Sequence, residues 1–247
     1  MIKHGQAVGR VGMILRYGMP IAAVLNLALV GYGLLRFPTT LTASSNGVSG
    51  LAGVVVILAA YAMAGYFWAP AVSRSMPDAL TAGWGFGAAV AVLFLVQFLY
   101  GYLAPLTEAQ NAMLANITFG GLFLLLFLAG LWTALRTGHI RQGLSAAVWS
   151  AMIGSIAWFS LLFITYYLFI GTAQETRQLV VDQTTADFQA SGMSDLRAFI
   201  MQDYLGGGFF HLVLGPLAAA VFGTAGGLIG KGIAGLANVL KTTRRPL

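Results

Sequence analysis

The chain has 247 residues, of which 58% are hydrophobic and 8% are charged, and its formal net charge is +6. Soluble domains carry about 25% charged residues, so this composition excludes a water-soluble globular fold. The sequence contains no cysteine, which excludes disulfides, thiolate metal sites and a cysteine nucleophile.

Six long segments without Asp, Glu, Lys or Arg follow one another along the chain. A helix rises about 1.5 Å per residue and the hydrocarbon core of a bilayer is about 30 Å thick, so about 20 apolar residues span it. The sequence therefore predicts an all-α integral membrane protein with six transmembrane helices in a single polytopic domain over residues 1–247. The predicted spans cover residues 17–35, 51–72, 82–104, 113–135, 144–171 and 205–230.

Residues 1–16 precede the first span and carry Lys3, Arg10 and Arg16. A positively charged segment before an apolar run is also typical of a signal peptide. The apolar run is longer than a usual signal segment, and no small-residue cleavage site precedes Arg36, so we expect a retained first span. We expect residues 1–16 to form a cytoplasmic or interfacial segment.

The stretch 37–50 is rich in Thr, Ser, Gly and Asn, and we expect a loop or a shallow re-entrant segment there. It ends in the tetrapeptide GVSG at 47–50, and the sixth span contains His211. This pair resembles the GxSG serine and the histidine of rhomboid proteases. The resemblance implies an intramembrane serine peptidase with Ser49 as nucleophile and His211 as base. The alternative is that Ser49 lies in a plain turn.

Polar side chains at membrane depth are few, and hydrocarbon offers them no hydrogen-bond partner. One shared polar cavity, suited to a neutral or zwitterionic solute, is predicted from Asn26, Gln97, Asn116 and His211. The alternative is that separate hydrogen bonds between helices satisfy these residues. His211 could ligate a pigment or a haem only with a second ligand from a methionine or another chain. No cofactor and no metal site are predicted.

The one long polar segment covers residues 173–203, between the fifth and sixth spans. Gly192 is typical of a helix C-terminus, and Ser194 with Asp195 is typical of the beginning of the next helix. A solvated hairpin is the alternative to this helical segment. The predicted interfacial, amphipathic face of the second helix consists of Leu196, Phe199, Ile200 and Tyr204.

Glycines recur at four-residue spacing in the sixth span, in the pairs Gly223 with Gly227 and Gly226 with Gly230. Such pairs form a flat face against which another helix can pack closely. Pro216 removes one helix hydrogen bond, so a kink is predicted there. We expect the last span to pack inside the monomer, with a homodimer face or a transport hinge as alternatives.

Orientation follows from the cations, because Lys and Arg that flank the spans are retained in the cytoplasm. With the N-terminus inside, only Arg36, Arg177 and Arg197 of the 13 Lys and Arg residues lie outside. Both termini are therefore predicted to be cytoplasmic and residues 173–203 extracytoplasmic, in a bacterial inner membrane. No basic patch interleaves with aromatic residues as a nucleic-acid surface requires, so no nucleic-acid partner is predicted.

A basic N-terminal segment, six spans and an outer helical element before the last span resemble the permease subunits of ABC-2 type exporters. That resemblance implies a separate cytoplasmic ATPase as partner. Six-span substrate-binding subunits of vitamin transporters are similar in topology. No predicted span carries a charge near its middle, which argues against proton-coupled transport on buried carboxylates. We expect a non-enzymatic transport protein, or an accessory subunit of a membrane complex, embedded in the lipid bilayer; an intramembrane enzyme is the alternative.

Overall fold

The computed structural model describes the backbone of residues 2–42 and 45–243, and the side chains of residues 9–42, 46–237 and 240. The side chains of four predicted cytoplasmic cations, Lys3, Lys241, Arg244 and Arg245, lie outside this part. The described chain is helical and contains no strand. Its α-helices are α1 (Ile2–Arg36), α2 (Ser45–Met63), α3 (Ala69–Ser75), α4 (Pro77–Leu103), α5 (Glu108–Thr137), α6 (Ile140–Phe169), α7 (Ala173–Val181), α8 (Thr184–Ser191) and α9 (Leu196–Thr243).

Six helical stretches of the described chain are long and apolar enough to cross a membrane. This confirms the predicted all-helical, multi-pass architecture. The stretches are generally longer than the predicted spans, because polar and small residues at their ends continue the helices. They are Gly9–Arg36, Asn46–Ser75, Pro77–Leu103, Glu108–Thr137, Ile140–Phe169 and Leu196–Ala237.

The second span begins earlier than predicted. A short 3-10 turn, Pro38–Leu41, follows α1, and α2 is already helical from Ser45 onward. The loop predicted through residue 50 is therefore wrong for its last residues. Tertiary packing explains the difference, because Gly47 lies against the carbonyl of Thr40 and Gly50 lies against α9. The small residues that suggested a loop instead allow close helix contact.

Residues Ala64–Trp68 form a π-helical turn that joins α2 to α3 within the second span. Pro70 follows this turn, and proline has no N–H to donate to the carbonyl of Tyr66 four residues earlier. A locally wider turn accommodates the missing bond without ending the helix. Pro20 and Pro216 likewise lie inside α1 and α9, which continue through them. The kink at Pro216 stays a prediction.

The bundle has two chemically different ends. The acidic end contains the connections at 37–42, 104–107 and 170–195, and the basic end contains the turns at 76 and 138–139. Every acid of the chain except Asp78 lies at or near the acidic end. These acids are Glu108, Glu175, Asp182, Asp187, Asp195 and Asp203, whereas the described cations of the basic end are Arg10, Arg16, Arg74, Arg136, Arg141 and Lys231.

The central helix of the bundle is α6. In the most apolar 18-residue stretch of α6, 72% of the residues are buried, whereas the corresponding stretches of the other five candidate spans are 22% to 33% buried. It packs against α1, α4, α5 and α9, and Phe159 and Phe163 on it are fully buried. The outer helices expose large apolar side chains such as Val24, Leu35 and Val221. Lipid suits this surface better than water does.

Close packing of α9 on α5 and α6 depends on glycine. A methyl group at Gly226 would overlap the carbonyl oxygen of Phe127 on α5, and one at Gly223 would overlap the Cβ of Ala147 on α6. A methyl at Gly230 would lie 2.6 Å from the carbonyl oxygen of Leu131, and one at Gly227 would lie 3.3 Å from Ile140. The four glycines of the predicted packing face therefore lie between helices of the same chain.

Candidate binding site at the acidic end

The segment between α6 and α9 folds onto the bundle through a buried ion pair. Glu175 in α7 is 2% exposed, and its two carboxylate oxygens pair with the guanidinium of Arg197 in the first turn of α9, with Nη2 and Oε2 2.9 Å apart. The N–H of Gly171 donates to Glu175 Oε2 at 2.6 Å. The hydroxyl of Tyr166 lies 3.4 Å from Arg197 Nη1. Because both charges are satisfied, the pair fixes α7 against α9.

Asp195 forms a second anchor at the beginning of α9. Its Oδ1 accepts the backbone N–H groups of Arg197 and Ala198 at 2.9 and 3.2 Å, as an N-cap does. Its Oδ2 accepts the hydroxyl of Thr39 at 2.5 Å. The Thr39 hydroxyl first, and then the backbone N–H groups, hold the pKa of Asp195 below its ordinary value. Asp195 therefore binds the start of α9 to the turn after α1.

A cavity of about 340 Å³ lies between the outer helices α7 and α8 and the ends of α4, α5 and α9. Its volume lies within the range of ordinary small-ligand sites. We call it the acidic cavity. Its polar lining consists of Gln97, Tyr102, Asn111, Gln178, Asp182, Thr184, Asp187, Asp203 and Tyr204.

Three aspartates give the acidic cavity its charge. Asp182 accepts hydrogen bonds from the side-chain amides of Asn111 at 2.6 Å and Gln178 at 2.7 Å. Partial burial raises the pKa of Asp182, although the two amide hydrogen bonds act in the opposite direction. Within the described residues, the carboxylates of Asp187 and Asp203 have no hydrogen bond, and the one ion pair lies elsewhere. The three carboxylates of the lining thus repel one another, and none of them forms an ion pair with a described residue.

Gln97 adds an unsatisfied acceptor to the lining. Its Oε1 is buried and has no hydrogen-bond partner among the described residues. Asp182 accepts one N–H from the side-chain amide of Asn111 and one from that of Gln178. The groups of the lining without a partner among the described residues include the Gln97 oxygen and the carboxylates of Asp187 and Asp203, all of them acceptors. A ligand that satisfied these acceptors would bring N–H donors and a positive charge.

The four polar residues predicted to share one cavity lie in separate places. Asn26 is fully buried and donates from Nδ2 to the hydroxyl of Ser160 at 2.9 Å, between α1 and α6. Asn116 is exposed on α5. Gln97 lines the acidic cavity, whereas His211 lines a different and much smaller one. Of the four, the structure brings only Gln97 to the acidic cavity.

His211 and Ser49, the pair that resembles a rhomboid protease, also have different surroundings. The His211 ring stacks on Trp158 with 4.0 Å between centroids and 15° between planes, and its Nδ1 lies 2.9 Å from the carbonyl oxygen of Gly207. Its cavity is about 30 Å³. Ser49 donates to the carbonyl oxygen of Asn46 at 3.2 Å and lines an open cavity of about 660 Å³. The two side chains therefore line separate cavities.

The face predicted to lie at the membrane interface packs largely on protein. Ile200 is fully buried in the main core, and Leu196, Phe199 and Tyr204 are partly buried against it. The Glu175–Arg197 pair was not predicted from the sequence. The only sequence signal for it was the concentration of acids in residues 173–203.

Of the cavities described, the acidic cavity has the lining that most clearly favours one class of ligand. The described residues contain no group of three or more His, Asp or Glu arranged to hold a metal ion. The lining of the acidic cavity suits a ligand that distributes N–H donors and positive charge over several atoms. No protein-family model, no curated protein and no solved structure matches this chain.

Proposed function

We propose that this chain is a non-enzymatic, multi-pass protein of the bacterial inner membrane that binds a small organic cation in the acidic cavity. The observation that carries the proposal is the set of three aspartates in one cavity, of which Asp187 and Asp203 lack any partner among the described residues. The bound cation is the substrate of a transport protein, or the signal that an accessory subunit recognises within a membrane complex.

Electrostatics supports a cation over a neutral solute. Two unit charges 4 Å apart interact by about 4 kcal/mol at an effective dielectric constant of 20, so neighbouring carboxylates gain from a cation placed between them. Gln97 supplies a further acceptor for an ammonium N–H. Leu162 and Leu179 line the same cavity and suit a short alkyl chain. A primary amine with a short aliphatic body matches this lining.

The distribution of charge supports an outward-facing cavity. Among the described Lys and Arg residues, only Arg36, Arg177 and Arg197 lie at the acidic end, and cations flanking spans are retained in the cytoplasm. The acidic end is therefore assigned to the extracytoplasmic side. A negative cavity on that side raises the local concentration of cations.

Calorimetry on the purified protein in lipid nanodiscs tests this proposal. The probe is 1,4-diaminobutane, and the matched neutral analogue of the same length is 1,4-butanediol. We expect the diamine to bind and the diol not to bind. Asp203→Asn should weaken diamine binding about tenfold or more, because a charge-assisted hydrogen bond contributes about 1.5 to 3 kcal/mol.

The matched control is Asp78→Asn, which removes the one acid of the basic end. This variant should bind the diamine as the unaltered protein does. Equal binding of the diamine and the diol would contradict the proposal. So would an equal loss of binding in Asp78→Asn and Asp203→Asn.

The two alternatives from the sequence receive less support. An ABC-2-like permease needs a surface for its ATPase at the basic end, yet only Met76 separates α3 from α4 there. An intramembrane serine peptidase needs Ser49 beside its base, yet Ser49 and His211 line different cavities. Recognition of a solute, without chemistry on it, remains the function that the acidic cavity supports best.

A further inference from the structure

A second charged cavity lies at the basic end, between α1 and α3. It has a volume of about 380 Å³, and two of its lining residues are arginines from different helices, Arg16 and Arg74. Gly12 makes the cleft possible, because a Cβ there would lie 2.7 Å from the hydroxyl oxygen of Ser73. The two helices thus meet closely at Gly12 and hold the two guanidinium groups beside one cleft.

Aromatic rings position Arg16 in this cleft. Its guanidinium carbon lies 4.8 Å from the ring centroid of Tyr66 and 5.5 Å from that of Tyr17. Its Nε is buried without a hydrogen-bond partner in the described part of the chain. Arg74 donates from Nε to the carbonyl oxygen of Pro70 at 3.2 Å. Cation–π contacts hold a guanidinium in place, and an aromatic ring carries no net charge that would neutralise it.

No acid neutralises this pair. Neither Arg16 nor Arg74 forms an ion pair among the described residues, and Asp78 is the one acid at this end. Arginine presents several N–H donors in a plane that matches the oxygens of a phosphate group. Two arginines without an ion pair to a described residue therefore line one cleft and favour an anion there, and a phosphate has the oxygens to accept from guanidinium groups.

The surface beside the cleft indicates where that phosphate comes from. An exposed apolar stripe runs from the cleft along α1 toward the middle of the membrane, and it can contact acyl chains. Its members are Met13, Tyr17, Ile21 and Val24, which are 51% to 64% exposed. Phe67 and Trp68 are exposed near the cleft on the second span, as aromatic residues at a membrane interface are. A headgroup in the cleft and acyl chains on the stripe would belong to one molecule.

We propose that the cleft formed by Arg16 and Arg74 binds the phosphate of an anionic phospholipid whose acyl chains lie along Met13, Tyr17 and Ile21. Basic pockets between transmembrane helices bind anionic headgroups in this way. Phosphatidylglycerol carries a net negative charge, whereas the phosphate of phosphatidylcholine is balanced by its own choline. The cleft therefore selects the anionic lipid.

Native mass spectrometry of the full-length protein in detergent, with equal amounts of phosphatidylglycerol and phosphatidylcholine, tests the assignment. We expect the protein to retain phosphatidylglycerol preferentially. Arg74→Gln should lower that retention about fivefold to tenfold, because the variant removes one positive charge near the membrane surface and a charged hydrogen bond to the phosphate. Arg74 is exposed, so its replacement leaves the core intact.

The matched control is Arg136→Gln. Arg136 is also exposed at the basic end and lies 5.8 Å from the ring of Trp132, but it does not line the cleft. This variant removes the same charge and should keep the preference for phosphatidylglycerol. Equal retention of both lipids by the unaltered protein, or an equal loss in Arg74→Gln and Arg136→Gln, would overturn the proposal.

Inorganic phosphate separates the two sources of the anion. If phosphate at millimolar concentration displaces phosphatidylglycerol and raises the melting temperature without lipid, in an Arg74-dependent manner, the cleft is a site for a free anion and the lipid assignment is wrong. If phosphate has neither effect, the acyl chains contribute to binding and the assignment stands.

Discussion

Glu175 is the acid whose loss should cost the acidic end the most stability. It is 2% exposed and pairs with Arg197 through both oxygens. Removing one partner of a buried pair costs about 3 to 5 kcal/mol. The side chain of Arg197 is 29% exposed, so we expect a loss near the lower limit, about 3 kcal/mol, in the free energy of unfolding of Glu175→Gln. Unfolding in a single detergent measures it.

Glu108→Gln is the control for this prediction, since Glu108 is exposed in the first turn of α5. It should change the unfolding free energy by no more than about 0.5 kcal/mol. Combining Glu175→Gln with Arg197→Met should recover part of the loss, because no unpaired buried charge remains. A double variant as unstable as the sum of the single ones would contradict the role of the pair.

The raised pKa of Asp182 determines how we expect cation binding to depend on pH. Its pKa is raised above that of an ordinary aspartate, about 3.9, so its carboxylate takes up a proton earlier as the pH falls. Protonation removes a charge that the cation needs. Binding of 1,4-diaminobutane should therefore weaken as the solution is acidified, and Asp182→Asn should make that dependence shallower. Titrations at several pH values measure both.

The raised pKa of Asp182 also makes the stability of the fold depend on pH, in the opposite direction to cation binding. A group whose folded pKa is raised contributes stability that is fully present below its unfolded pKa and is lost as the pH rises through the folded pKa. Asp182 thus stabilises the protein in acid while it favours the cation at neutral pH. A cation-binding affinity that increased on acidification would contradict this account of the cavity.

At the scale of elements, the contact of α9 with α5 is the most sensitive to small changes. Gly226→Ala would place a methyl against the carbonyl oxygen of Phe127 and 2.8 Å from the backbone nitrogen of Leu131, both of them backbone atoms. Overpacking of this kind costs about 1 to 3 kcal/mol. We expect the melting temperature of Gly226→Ala to fall in the same detergent.

Gly232→Ala is the matched control, because a Cβ at Gly232 meets no atom within 4 Å. Alanine is more favourable than glycine in a helix by about 1 kcal/mol, so this variant should be neutral or slightly more stable. Equal destabilisation by the two variants would show that α9 tolerates no alanine in general, and would contradict a specific contact at Gly226.

The elements were predictable where hydropathy or spacing determines them. The six spans follow from length and charge alone, and glycine spacing picked out the face that includes Gly226. The early start of α2 and the π-helical turn at Ala64–Trp68 were not predictable. Both depend on partners distant in sequence or on a backbone adjustment, since Gly47 fits against Thr40 and the chain widens before Pro70.

At the scale of the whole molecule, the proposed orientation can be tested directly, because the chain contains no cysteine of its own. Ala190 in α8 is exposed at the acidic end, and His139 is exposed at the basic end. A membrane-impermeant maleimide added to intact spheroplasts should label Ala190→Cys and should leave His139→Cys unlabelled until the membrane is permeabilised. The reverse pattern would contradict the assignment of the acidic end to the outside.

The candidate site was less predictable than the spans. Hydropathy singled out Gln97 as a polar residue at membrane depth, but Asp182 and Asp203 belong to other elements and reach the same cavity only through the fold. Glu175 looked like one solvated acid among several. Its burial depends on Arg197, 22 residues later in the chain, at the beginning of α9. Such pairings between distant segments leave no pattern within either segment alone.

The central position of α6 has a consequence for the order of assembly. Helix α6 is synthesised before α9, yet Ala147 on α6 is covered by Gly223 of α9. Glu175 is likewise made before its partner Arg197. A nascent chain that ends after α8 therefore exposes an unsealed central helix to lipid and an unpaired carboxylate at the surface. Helix α9 therefore completes the packing of α6 and neutralises Glu175. Chains that end before α9 should be recognised and degraded by membrane quality control.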